Sequence, residues 1–220
     1  MARAAACPID SAPRPLSIGA LGTSLTWGAD LPSREIDAWP RVLQALLRAR
    51  AGRDDIFVFN GAMRASSADF AALCFDELWG GAWADARGLA RAPRLDLAII
   101  EYTWSSSASQ IGALIEALHA RGIACIGILY YHPVNLARLG KVKNDPTPDY
   151  KASSIGRHAT YARVFDAHRV PFVNTSLLNE RYGWRRMMNT TRRILSAAHL
   201  SPLGHRGIAS LLLDAIYRDT

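Results

Sequence analysis

The feature that most constrains this chain is a repeated alternation of short apolar runs with stretches of helical periodicity. The runs are Leu16–Leu21, Asp55–Asn60, Leu95–Tyr102 and Ile123–Tyr131, followed by a shorter one at Val170–Asn174. Each has the length and composition of a buried strand. After the first run, Val42, Leu43, Leu46 and Leu47 form one apolar stripe on a helix expected from about Pro40, which Gly52 ends. A helical segment reaches to about Trp79. Ile111, Leu114, Ile115 and Leu118 repeat at 3.6-residue spacing behind three candidate caps, Ser105, Ser106 and Ser107. A further helix is expected around 156–168, after an irregular segment over 134–154. The last helix has Ser201 as its cap, Pro202 in its first turn, and Ile208, Leu211, Leu212, Ala215 and Ile216 as its buried stripe. Strands alternating with helices in this way predict a parallel sheet covered on both faces.

Composition sets the remaining bounds. A chain of 220 residues, half of them hydrophobic and 20% charged, is expected to form one globular domain over 16–220. Residues 1–15 are expected to be a flexible N-terminal segment. The net charge of +7 comes almost wholly from arginine, since lysine occurs only at 141, 143 and 151. An arginine- and alanine-heavy composition also follows from a GC-rich coding sequence, so the charge does not by itself indicate nucleic acid, and no nucleic-acid partner is expected. Cys7, Cys74 and Cys125 have no metal-ligand spacing and imply no disulfide framework. With no Gly-rich phosphate fingerprint either, no metal or cofactor is expected. No apolar run approaches the ~20 residues of a membrane span, and the N-terminus lacks an apolar core of signal-peptide length. A cytoplasmic protein is the default, or a secreted one if a signal peptide has been removed.

The chemistry concentrates at the two ends. Ser24 lies just past the first strand, within Leu21-Gly22-Thr23-Ser24-Leu25-Thr26-Trp27-Gly28, a loop bracketed by two glycines. In an open α/β sheet, ligands bind in the crevice outside the carboxyl ends of the strands. A serine there also serves as a helix cap or turn residue. At the far end stands His199-Leu-Ser-Pro-Leu-Gly-His205, just before the last helix. Together the two segments resemble the first and last sequence blocks of the SGNH (GDSL-type) hydrolases. Gly22-Thr23-Ser24-Leu25 stands where that family has Gly-Asp-Ser-Leu, and His199 where it has its catalytic histidine.

The resemblance implies a three-layer α/β/α fold with a five-stranded, flavodoxin-like parallel sheet. It implies Ser24 as nucleophile and oxyanion donor through its own N–H, and His199 as base; His205 falls where the family has a structural residue. Matching Asn60 to the family's second block puts Ala65 where an oxyanion glycine stands, a change its N–H survives if the local φ is negative. Arg64 and Ser66 beside it are candidate substrate contacts. In the third block, Ser105 takes the place of an oxyanion asparagine, with a shorter reach. In the last block, Ser196 takes the place of the aspartate that orients the histidine. A backbone carbonyl or Ser196 itself is then left to orient His199. Trp27 and Trp104 either line an acyl or sugar pocket with Arg64 or pack its rim. His132 reads as loop-lining or core-satisfied. The tract Asn179–Arg193, with five arginines, Tyr182 and Trp184, reads as a solvated face near the site.

Two functions follow as expectations. The first is a serine esterase or deacylase that hydrolyses an acyl or acetyl ester of a small molecule or glycan through a covalent acyl-enzyme. The second is a catalytically impaired protein of the same fold that binds a glycan or an ester-like ligand, suggested by serine at both 105 and 196.

Overall fold

In the computed structural model of the chain, the described residues are 14–80, 94–130, 148–188 and 199–218. Five strands occur among them: β1 (Leu16–Gly22), β2 (Ile56–Asn60), β3 (Leu97–Glu101), β4 (Ala124–Leu129) and β5 (Phe172–Asn174). All neighbours pair in parallel, in the order β2-β1-β3-β4-β5. The chain therefore leaves β1 toward one edge of the sheet, then returns at β3 and winds toward the other. Between the carboxyl ends of β1 and β3 lies the topological switch point, where open α/β sheets hold their ligands.

Period-two alternation along the strands sends successive side chains to opposite faces. Ile18 and Ala20 of β1, Val58 of β2 and Ile99 of β3 face one side. There they meet Trp39, Leu43 and Leu47 of α3 (Trp39–Ala51), Leu178 of α8 (Ser176–Tyr182), Met187 of α9 (Trp184–Met187), and Ile208, Leu212 and Ile216 of α10 (Pro202–Arg218). Leu21, Phe59, Ala98 and Ile100 face the other side. They are covered by α4 (Ala68–Leu73), α5 (Phe75–Gly80), α6 (Ala108–His119) and α7 (Pro148–Ala167). Burying each of the valine, leucine, isoleucine and phenylalanine side chains among these is worth about 1.5–3 kcal/mol, so the two cores fix the sheet between its helices. The result is the expected three-layer α/β/α fold.

The helix boundaries follow from local chemistry. Pro sits in the first turn of α3, and Gly52 closes it in the left-handed region at φ 66°. Of its predicted stripe, Leu43 and Leu47 are fully buried, while Val42 and Leu46 are partly so. Among the three candidate caps, Ser107 caps α6, in a reciprocal box with Gln110. Two expectations are corrected. Residues 22–28 are not an open loop: Thr23 caps a single turn, α1 (Ser24–Trp27), followed by α2 (Arg34–Asp37). And α7 begins at Pro148, inside the segment expected to be irregular. A proline is compatible with the first helical turn, so Pro148 starts this helix rather than breaking it. The expectations for residues 1–13, for Cys7 and for His132 lie outside the described residues.

Candidate active site

The site is built outward from α1. The side-chain oxygen of Thr23 accepts from the Leu25 N–H at 3.4 Å, and Gly28 ends the turn at φ 84°. The strand enters that turn through Gly22, where a Cβ would lie 2.3 Å from Thr26 Oγ1 and 2.8 Å from Glu101 Oε2. No larger residue fits without moving the side chains that hold the turn. Ser24 is the first residue of α1, and its N–H meets no acceptor among the described residues.

After Gly28 the chain curls back through a second left-handed residue, Asp30, at φ 62°. Aspartate tolerates that conformation better than most side chains. The curl brings Asp30 against His199, which arrives from the opposite end of the sequence. His199 Nδ1 lies 2.8 Å from Asp30 Oδ2, and Nε2 lies 3.1 Å from Ser24 Oγ. A carboxylate can only accept, so Nδ1 carries the proton and donates to Asp30. This leaves the Nε2 lone pair facing the Ser24 hydroxyl. A backbone carbonyl or Ser196 was expected to face His199; the group found against its Nδ1 is the Asp30 carboxylate, and Ser196 lies outside the described residues.

His199 is held by its own neighbours. Leu200 forms a bridge with Met188, and the Ser201 N–H donates to the Met187 carbonyl at 2.8 Å. Ser201 also caps α10, accepting from the Gly204 N–H. Met187 and Met188 are buried in the core beneath, so this part of the arginine-rich tract supports the histidine segment. His205 has a structural place: fully buried, it accepts the Trp39 N–H at Nδ1 and ties α10 to α3. Burial, with a smaller push from His199, lowers its pKa to about 3 and keeps it neutral.

The loop after β2 closes the site. Asn60 donates to the Thr26 carbonyl and accepts from the Ala62 N–H. The Met63 N–H donates to the Gly22 carbonyl, fixing the following turn against β1. Ala65 has φ 57°, not the negative value expected for an alanine there. This is the left-handed conformation that glycine adopts without strain and alanine only at a cost, so the condition of a negative φ is not met. The Ser66 hydroxyl donates to the Met63 carbonyl at 2.7 Å, and the residue, although largely buried, lines the recess beside Ser24.

Ser24, Ala65, Trp104, Ser105 and His199 line one recess of about 360 Å³. Trp27 lines a second, largely apolar cavity of about 410 Å³, with Leu21, Phe70, Phe75 and Trp79. Arg64 borders both. The candidate pocket residues thus divide, with Trp104 beside the serine and Trp27 in the adjoining space.

Sequence reasoning missed Glu101. It ends β3 in register with Gly22 and is 1% exposed. Its Oε2 accepts from the Thr23 N–H at 3.1 Å, the Thr23 hydroxyl at 3.1 Å and the Thr26 hydroxyl at 3.0 Å. Burial raises its pKa to about 7 against the opposing pull of these donors. The carboxyl thus clamps the serine's turn to the neighbouring strand. The only signal in the sequence was a charged residue at the end of an otherwise apolar run.

The described residues include no group of three or more His, Cys, Asp or Glu side chains placed to share a metal ion, and no helix long and apolar enough to cross a membrane. No family model and no curated protein sequence matches the chain. Its fold has solved counterparts among esterases and acylhydrolases. An acetylxylan esterase from Geobacillus stearothermophilus superposes with a TM-score of 0.64 at 12% identity, over 93% of this chain and 95% of the other. A lipase/acylhydrolase from Enterococcus faecalis gives 0.63 at 15% identity, over 91% and 95%. A psychrotrophic esterase from Pseudoalteromonas sp. gives 0.61 at 15% identity, over 91% and 96%. At these identities the likeness establishes the fold.

Proposed function

We propose that this protein is a serine esterase or deacylase that hydrolyses an acyl or acetyl ester through a covalent acyl-enzyme. The observation that carries this reading is the chain of contacts from Ser24 Oγ to His199 Nε2 and from His199 Nδ1 to Asp30. Serine is a poor nucleophile until an adjacent base removes its proton, and an imidazole is an effective base only when oriented and stabilised once protonated. All three elements of that logic are present.

In the proposed reaction, Ser24 Oγ bonds to the ester carbonyl carbon while its proton passes to His199 Nε2. The Asp30 carboxylate faces the imidazolium that results. The negative charge on the former carbonyl oxygen is met by the N–H groups of Ser24 and Ala65 and by the hydroxyl of Ser105. The tetrahedral intermediate then collapses, the C–O bond to the alcohol breaks, and His199 returns the proton to the departing oxygen. Water, deprotonated by the same histidine, releases the acid from Ser24. Three donors on developing charge constitute the largest rate term expected of such a site. Ester hydrolysis agrees with the structural neighbours, an acetylxylan esterase and a lipase/acylhydrolase among them.

The alternative, ligand binding without turnover, drew its support from serine at 105 and at 196. Asp30 removes the second of these grounds. The test is hydrolysis of 4-nitrophenyl acetate, 4-nitrophenyl butyrate and an acetylated xylose by wild type and Ser24→Ala. We expect cleavage of at least one ester by wild type and a loss of roughly 10³-fold or more in the variant. Equal turnover by wild type and variant would overturn the assignment.

A further inference from the structure

We infer that the substrate carries an anionic group, a carboxylate, sulfate or phosphate, close to the scissile ester, and that Arg64 binds it. The inference rests on the esterase reading above and specifies its substrate class. Among the described residues that line the Ser24 recess and the adjoining apolar cavity, Arg64 is the only permanently charged one. It has no carboxylate partner among the described residues, although its neighbour Arg34 pairs with Glu35 at 3.1 Å. Both guanidiniums lie over Trp27, Arg34 at 3.9 Å and Arg64 at 5.3 Å from the ring centroid. The stacking orients the Arg64 guanidinium without neutralising it, since a cation–π contact leaves its N–H donors free.

The backbone holds Arg64 in place as well. It lies in the turn between Met63 and Ser66, whose Ser66 N–H donates to the Met63 carbonyl at 3.4 Å. Met63 in turn is bonded to Gly22, two residues before the serine. The backbone that carries Arg64 is thus tied to the strand end that leads into Ser24, and its exposed side chain rests on the Trp27 ring. An uncompensated guanidinium at the wall of a recess recognises a carboxylate, sulfate or phosphate through two parallel hydrogen bonds.

Two matched ester pairs test this, with charge on the alcohol side or on the acyl side. The pairs are 3-acetoxybenzoate against 3-acetoxybenzamide, and mono-4-nitrophenyl adipate against 4-nitrophenyl hexanoate. In at least one pair, wild type should favour the anionic ester by about tenfold or more in kcat/KM, mainly through KM. Arg64→Gln should bring that ratio close to one, and Arg64→Lys should retain part of it. The ratio cancels any general effect of the substitutions on folding or turnover. If the neutral esters are cleaved at least as well in both pairs, or the preference survives in Arg64→Gln, the inference is wrong and the esterase reading stands. If no ester is cleaved and Ser24 takes no fluorophosphonate adduct, the esterase reading falls and this inference with it.

Discussion

Asp30 shows how a contact of the candidate site can be absent from the sequence pattern and present in the fold. It lies 169 positions from His199, and no spacing rule links the two. Two left-handed residues, Gly28 and Asp30, aim it, and neither announces itself by residue type alone. Ser24 and His199 were legible because each lies in a run of characteristic neighbours. Ser105 lines the recess, and serine at 196 gave no hint of the carboxylate that Asp30 brings to His199. Asp30→Asn should keep the shape of the site but favour the wrong imidazole tautomer and withdraw the charge facing the imidazolium. We expect kcat on the best ester to fall by ~10²–10⁴ with circular dichroism unchanged; a loss below about threefold would remove Asp30 from the mechanism. Ala65 gives a second test at this scale. Its φ of 57° strains an alanine and suits a glycine. Ala65→Gly should raise stability by a few tenths to about 1 kcal/mol, the relief of strain being partly offset by the greater freedom of glycine in the unfolded chain. Urea unfolding measures it.

Among the elements, those defined by periodicity were legible: β1 to β5, α3, α6 and α10 lie where alternation and apolar stripes put them. The start of α7 was not, because the chain before it read as irregular through 154, whereas Pro148 starts the helix. α1 was not legible either. A four-residue turn has no stripe to detect, and its stability comes from outside it, from Glu101 on β3 and Asn60 on β2. The clamp predicts a difference between two substitutions at Glu101. Gln keeps a carbonyl oxygen to accept from Thr23 and Thr26, while Ala removes every acceptor and leaves a cavity. Glu101→Ala should therefore lose at least tenfold more kcat than Glu101→Gln, because a misplaced serine turn shifts the nucleophile from its base. Equal losses would mean that the clamp does not position the serine.

Across the whole molecule, burying Glu101 couples stability to pH. Its folded pKa of about 7 lies above the ordinary value of 4.5, so the native state binds more protons between the two. The contribution of this group is fully present below pH 4.5 and is lost as pH rises through about 7. The change amounts to about 3 kcal/mol. Glu101→Gln should flatten that decline in a series of urea unfolding curves from pH 4 to 8; parallel curves for both proteins would refute the coupling. The site itself is also a property of the whole fold, since Ser24 and His199 are 175 positions apart and meet only when the sheet has formed. Covalent labelling by a fluorophosphonate therefore tests the central claim most directly. The folded protein should take up one equivalent, mapped to Ser24 by peptide mass spectrometry. Urea-unfolded protein, Ser24→Ala and His199→Ala should take up almost none. A folded wild type that remains unlabelled, or an adduct on any residue other than Ser24, would contradict the account.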